Sequence, residues 1–432
     1  AEGSAESLAG EPAANVLDGA ADSADLSAED IANAGSREAN QEQPLEEDPD
    51  GTPPAGPPLD AEMLALRDEV RSCLSYYFSR PENACTRSPW GVMHSFIAFG
   101  AETQLIVNGR RVNAIGWLCW NQPCRGQRLF SLRNGRLQTA HGPGVQGHEG
   151  QFLCMLAQSR VRADYELRVE GKRLTIADLI ELEQRTCRPN SELTFKLIGL
   201  VHYLPSEATW TCDGGETWNI PRMIQEELDQ PVVGAACGGT HRMMGFSYAV
   251  RKREQRGEPL EGQWLRAKKY VDAYHEYTFK LQNPDGSFST DWFRSRASSP
   301  DIQRRVQTTG HILEWLVYSL PRERLSDPRV LHAVRYLNRL MTEHRQWEIG
   351  PQGHALHALV LFDRRMFGGA ESLASRLRTY GDGSRSESRS AATSGRAVDA
   401  SGRDTRRRDN VQLQSEREAN PWRSGLLRRR DR

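Results

Sequence analysis

Five histidines in this chain follow a glycine by one to three residues: Gly91-Val92-Met93-His94, Gly147-His148, Gly239-Thr240-His241, Gly310-His311 and Gly353-His354. Each pair stands at the head of a short apolar segment, and a sixth such segment has Asn190-Ser191-Glu192 in the equivalent place. Imidazole titrates near neutrality and transfers protons, and in its neutral form it is also a common metal ligand. Helix starts add unpaired N–H groups and a partial positive charge, which favour anionic or polar ligands. Glu314 lies three residues after His311, on the same helical face, which makes the two a candidate acid–base pair. Cys237 and His241 stand one helical turn apart if the helix runs through both, but no complete set of metal ligands is marked and no cofactor is named. Asp213, Asp285 and Asp291 fall in polar loops, and Trp210, Trp218, Trp292, Trp315 and Trp347 fall in the stretch from residue 210 to residue 347. Carboxylates and aromatic faces gathered at one mouth would suit a sugar or another polar ring. The candidate catalytic set is therefore His311, Glu314, His241, His354 and His148, with Asp213, Asp285, Trp218, Trp292 and Glu192 as substrate contacts. For any one histidine, capping or packing between helices is the competing reading. His202 and His357 read as packing residues, and His332 and His344 as solvated ones.

Positioning these groups requires two kinds of helix. Residues 61–79, 175–186, 263–281 and 330–341 repeat apolar residues at helical spacing with a charged outer face, as in Val330, Val334, Leu337 and Met341. Residues 93–99, 151–157, 193–203, 243–250, 312–320 and 355–362 are apolar nearly all round and read as buried helices. Alternation of the two kinds predicts stacked helical hairpins. A ring with amphipathic helices outside and apolar helices inside satisfies it, because every inner helix is covered. The expected class is all-α, an (α/α)6-type toroid over residues 59–367. If the inner helices run parallel, all six starts share one mouth. Asn108-Gly109, Asn134-Gly135 and Glu170-Gly171 signal β-hairpins inserted among the early helices, leaving the second outer helix reduced to 113–120 or absent.

The ends of the 432-residue chain differ from this middle. Residues 1–58 are acidic and rich in Ala, Ser, Gly and Pro, whereas 368–432 are rich in Arg, Ser and Gly. Neither can bury enough apolar surface to offset chain entropy, so both are expected to be disordered. The net charge of −1 thus hides an acidic and a basic tail. The basic tail would bind polyanions without selectivity, in competition with the acidic one, which argues against a dedicated nucleic-acid protein. All eight cysteines fall in the middle, with Cys73/Cys85, Cys119/Cys124 and Cys212/Cys237 close enough in sequence to pair in an oxidising compartment; reduced, buried thiols are the alternative. An Ala-rich start at Ala1 before an acidic linker fits removal of a signal peptide, and a secreted, periplasmic or cell-surface protein is expected. No apolar run is long enough to span a bilayer.

Two segments resemble known families. Gln282-Asn283-Pro284-Asp285-Gly286-Ser287-Phe288 resembles the Gln-x3-Gly-x-aromatic repeat of the squalene cyclases and prenyltransferases, and Asp213-Gly214-Gly215-Glu216-Thr217-Trp218 is a looser copy. That resemblance implies an α/α toroid; the family's clustered catalytic aspartates have no counterpart here. Gly310-His311-Ile312-Leu313-Glu314-Trp315 is similar to a segment of the sugar epimerases related to N-acylglucosamine 2-epimerase, also toroids. It implies that His311 transfers protons beside a sugar, with Glu314 in support. Three functions follow as expectations: a carbohydrate-active enzyme (epimerase, lyase or hydrolase), a non-catalytic binding or scaffold toroid, and a terpenoid-type enzyme.

Overall fold

A computed structural model describes residues 59–368, 372–378 and 380. Twelve helices lie between Leu59 and Gly368: α1 (Ala61–Phe78), α2 (Pro89–Phe99), α3 (Ala114–Cys119), α4 (Gln151–Gln158), α5 (Ile176–Arg185), α6 (Thr194–Tyr203), α7 (Ile220–Leu228), α8 (Thr240–Gln255), α9 (Gly262–Lys280), α10 (Ile302–Ser319), α11 (Pro328–Thr342) and α12 (Ile349–Phe367). The fold is mostly helical, with a few small strand pairs. The disorder expected for residues 1–58 and for most of 368–432 lies outside the described residues. No described helix is long and apolar enough to cross a membrane.

The odd-numbered helices mostly keep a solvent face. In α1, Asp60 accepts from the Met63 N–H, and Leu66, Val70, Cys73 and Leu74 point inward. In α11, Asp327 caps, Pro328 takes the first position, and Val330, Val334, Leu337 and Met341 are buried. The even-numbered helices are buried over most of their length: in α4 every residue from Gln151 to Ala157, and in α6 every residue from Thr194 to His202. Each even helix packs on the next in chain order, α2 on α4, α4 on α6, α6 on α8, α8 on α10 and α10 on α12, and α12 packs back on α2. Their contacts therefore close a cycle.

Four antiparallel hairpins lie among the helices: β2 (Gln104–Val107) with β3 (Arg110–Asn113), β4 (Phe130–Arg133) with β5 (Arg136–Thr139), β6 (Glu166–Val169) with β7 (Lys172–Thr175), and β8 (Thr209–Thr211) with β9 (Thr217–Asn219). A two-residue strand β1 (Glu82–Asn83) runs parallel to β2. The first three turn on Asn108-Gly109, Asn134-Gly135 and Glu170-Gly171, all six residues at positive φ, the signature of tight hairpin turns. Three hairpins end in the cap of an odd helix. Asn113 accepts from the Gly116 N–H, Thr175 forms a capping box with Asp178, and Asn219 accepts from the Arg222 N–H. Beyond the boundary read from composition at 367, residues 373–378 form a docked helical turn. Leu377 is buried there, and Glu102 accepts from the Leu373 and Ala374 N–H groups at 3.0 and 2.8 Å.

Four buried helices begin earlier than their apolar stretches, α8 by three residues and α2, α10 and α12 by more. Ser88 caps α2, with Pro89 in the first turn. Asp301 caps α10, whose opening turn carries Gln303, Arg304 and Arg305. In α12, Pro351 sits in the first turn, where proline does not break a helix. His94, His311 and His354 are therefore set within helices, not at their starts. Only His241 stands in the first turn of its helix, while His148 and Glu192 lie in the loops just before α4 and α6.

Candidate functional site

The five Gly-linked imidazoles converge although their helical positions differ. The His311 and His354 rings stack at 3.7 Å between centroids, and His354 meets His94 at 5.6 Å. His241 lies 5.4 Å from His311, 5.5 Å from His354 and 5.6 Å from His148. Two glycines explain part of this. A Cβ on Gly353 would fall 2.2 Å from the His94 carbonyl oxygen, and one on Gly310 would fall 3.0 Å from the Ala355 backbone nitrogen. Only hydrogen at these positions lets α12 approach α2 and α10 so closely. The neighbouring imidazoles follow the backbones into contact.

Hydrogen bonds fix the rings. The Nδ1–H groups of His94 and His311 donate to the carbonyls of Trp90 and Gln307 at 2.8 and 2.7 Å. A carbonyl only accepts, so Nδ1 carries the proton and Nε2 the lone pair. His148 bonds through Nδ1 to Glu192 at 2.6 Å. Glu314, buried within α10, takes His354 Nδ1 on one oxygen at 2.7 Å and His357 Nδ1 on the other at 2.5 Å. His357, read from sequence as packing, is thus part of the cluster; its spacing of three from His354 on one helix was the available signal. Glu314 makes its hydrogen bonds with these two and not with His311, so the acid–base pairing expected within α10 is replaced by one between helices.

Burial, then the nearby His354, pushes His94 down to about 3. Burial and the other imidazoles push His241 and His311 well below the ordinary histidine value. For Glu314, burial favours the neutral acid, but the charge of His354 and the hydrogen bonds from His354 and His357 outweigh it and hold the carboxyl well below its usual range. His94, His241 and His311 are thus driven toward their neutral forms beside the Glu314 carboxylate. A cavity of about 30 Å³ is lined by Gln151, Thr240, His241, His311, Glu314 and His354, among others. That is room for about one water.

Cys237 precedes α8 in a run of left-handed residues, with φ of 46° at Cys237, 65° at Gly238 and 89° at Gly239. It is not on the helix of His241, as spacing alone suggests. A Cβ on Gly238 would collide with the Trp292 ring at 2.0 Å, and one on Gly239 with the Val232 carbonyl at 2.4 Å. The tight turn folds Cys237 back so that its Sγ and ring nitrogens of His241 and His311 lie within 4.8 Å of one another. Burial pushes the Cys237 thiol up to about 12. Both ring nitrogens of His241 are shielded from solvent and have no hydrogen-bond partner among the described residues.

Among the expected substrate contacts, Glu192 joins the cluster through His148, and Trp292 lies 5.6 Å from His311. The others lie elsewhere. Asp213 pairs with Arg185 at 2.8 Å and lines a separate cleft of about 430 Å³ with Glu149, Lys196 and Arg188. Asp285 accepts from Ser287 at its own turn and faces Arg305 at 3.4 Å. Trp218 is fully buried beneath the Arg222 guanidinium. His202 bonds to the Tyr248 hydroxyl within the core, while His332 and His344 are exposed. All eight cysteines are free thiols, which removes the three disulfides sequence proximity suggested. Cys73 faces the core from α1 while Cys85 is exposed in the following loop, so nearness in sequence does not bring them together.

Fold and site together define a mostly helical protein with a buried imidazole–carboxylate cluster between its inner helices. No family model matches the chain, and no curated protein or solved structure matches it either.

Proposed function

We propose that the chain is an (α/α)6 toroid enzyme in which Glu314 and His354 do acid–base work on a carbohydrate or similarly polar substrate. The closed cycle of even-numbered helices, backed by odd-numbered ones, supports the toroid. The observation that carries the chemistry is the buried Glu314 carboxylate bridging His354 and His357. A carboxylate on Nδ1 fixes the imidazole tautomer, leaves Nε2 as the base, and stabilises the imidazolium formed when it takes a proton. Trp292 beside His311 supplies an aromatic face of the kind a sugar ring packs on. Resemblance to the sugar epimerases falls on the same segment of α10. A cyclase-type reading is weaker, since Asp285 in the repeat-like segment is committed to its own turn. The non-catalytic toroid is the second reading, favoured by the small cavity at the cluster.

The test incubates the full chain with glycosides, free sugars and uronates and follows products by NMR. Turnover should fall about 100-fold or more in Glu314→Gln and His354→Gln, with little change in KM. Turnover untouched by both changes would sink the acid–base assignment. Absence of turnover across the panel would leave the binding toroid as the better reading.

A further inference from the structure

Three observations meet at the turn before α8, none of which the acid–base reading uses. Cys237, His241 and His311 bring one sulfur and two imidazole nitrogens within 4.8 Å of each other. His241 has neither ring nitrogen satisfied. A buried polar atom without a partner costs about 1–3 kcal/mol, so an imidazole held this way implies something that engages it. His311 donates Nδ1–H to the Gln307 carbonyl, which leaves Nε2 with the lone pair. Metal-bound histidines are oriented in this way, the far nitrogen donating to a carbonyl or carboxylate.

We propose that Cys237 Sγ, His241 and His311 bind one divalent transition metal ion, with zinc the best match to the donor set. Sulfur with two imidazoles suits zinc, copper or cobalt and disfavours magnesium or calcium. Adjacent donors in a tetrahedral zinc site stand about 3.4 Å apart, so binding draws the present group together by at most about 1.4 Å. Zinc enters as the dication, both imidazoles bind as neutral bases, and the thiol loses its proton to solvent. Three protein ligands leave a fourth position open, as in catalytic and not structural zinc sites. His241 and His311 also line the small cavity with Glu314 and His354. A water in the fourth position would therefore stand beside the carboxylate–imidazole pair. The turn itself supports the site: Cys237 is held at positive φ, unusual for a residue with a side chain, by glycines packed under Trp292 and against Val232.

The proposal is tested on the full chain, prepared without an affinity tag, by elemental analysis and then by titration of the chelator-treated protein with cobalt(II) or zinc chloride. About one equivalent of metal per chain is expected. The cobalt form should show the visible bands of a tetrahedral ion and a thiolate-to-cobalt charge-transfer band. Cys237→Ser should remove the charge-transfer band, and both it and His241→Ala should weaken zinc binding by about 100-fold or more. His94→Gln, outside the donor set, should keep full stoichiometry. Circular dichroism reports whether each variant folds; if His241→Ala does not, the charge-transfer band in Cys237→Ser decides. No saturable metal uptake by the parent chain, or an unchanged cobalt spectrum in folded Cys237→Ser, would overturn the proposal.

Discussion

Replacing Gly353 by alanine is the most direct probe of how the cluster is assembled. The added Cβ would stand 2.2 Å from the His94 carbonyl oxygen and 3.0 Å from its carbon. Both are backbone atoms of a buried helix and cannot rotate away. An ordinary carbon–oxygen contact is about 3.3 Å, so α12 and α2 must separate by about 1 Å. Overpacking of a tight core costs about 1–3 kcal/mol, and a rigid obstacle puts this change at the upper end. Alanine regains about 1 kcal/mol over glycine within a helix. The net expectation is a loss of about 2 kcal/mol. Gly91 supplies the control: it also precedes a cluster histidine, but its added Cβ would meet nothing nearer than 3.6 Å. Gly91→Ala should therefore be neutral or stabilise by up to about 1 kcal/mol. Urea titrations of both variants, followed by circular dichroism and tryptophan fluorescence, should separate them by about 2–3 kcal/mol. Equal stabilities would refute the claim that glycine serves close helix approach at Gly353.

Burial, reinforced by the Arg324 and Lys268 charges and opposed by Asp272 and Glu276, pushes His275 down to about 4, with its Nε2 on the Ser319 hydroxyl. A depressed histidine keeps its full stability contribution above its unfolded value near 6.5 and loses it as pH falls. Between pH 7.5 and 5 the loss is about 2 kcal/mol, and His275→Gln should show a stability–pH slope shallower by that amount in urea titrations. Lys196 is 1 % exposed and pairs with the buried Glu183 at 2.9 Å. Lys196→Met should cost about 3–5 kcal/mol by stranding that carboxylate, and adding Glu183→Gln should recover much of it; thermal melts of the single and double variants test the coupling. Thiol titration of the native chain should show fast reaction at Cys85, the exposed cysteine, with all eight thiols reacting after denaturation without reductant.

What was legible in the sequence was whatever a local pattern could carry. Period-3.6 apolar spacing placed α1, α5, α9 and α11 within about two residues. Three Asx- or Glu-Gly pairs located three hairpin turns. The β8–β9 hairpin escaped because its turn, Asp213-Gly214-Gly215, was read as a repeat motif. Helix starts escaped where polar caps precede the apolar run, as at Asp301, nine residues before Gly310. His94, His148, His241, His311 and His354 lie together in the structure, but not as equivalent helix starts. Their helical positions are not equivalent, and the close approach of backbones at Gly310 and Gly353 brings three of them together. Asp213 and Asp285 lie away from the cluster, and sequence alone does not show it, because a polar loop does not reveal whether its carboxylate faces a site or its own turn; Asp285 does the latter.

Charge completes the physical picture of the centre. Glu314 is an ionised carboxylate inside a protein, held by hydrogen bonds from His354 and His357. A buried charge is tolerated only when an opposite charge and hydrogen bonds compensate it. His94, His241 and His311 are all driven toward their neutral forms, so they supply lone pairs and no positive charge. A dication bound to the Cys237 thiolate would retain one positive charge, and that charge is opposite in sign to Glu314. The same ion would engage the lone pair of one His241 ring nitrogen, which has no hydrogen-bond partner among the described residues. Removing the thiolate should therefore do more than delete one ligand. Cys237→Ser leaves a dication beside the Glu314 and Glu192 carboxylates, whereas Cys237→Ser with Glu314→Gln leaves Glu192, hydrogen-bonded to His148, as the remaining carboxylate of the cluster. If electrostatic balance contributes to metal affinity, the double variant should bind zinc more weakly than Cys237→Ser alone, although Glu314 is not a ligand. Equal zinc affinities in isothermal titration would confine the metal energetics to the three ligands.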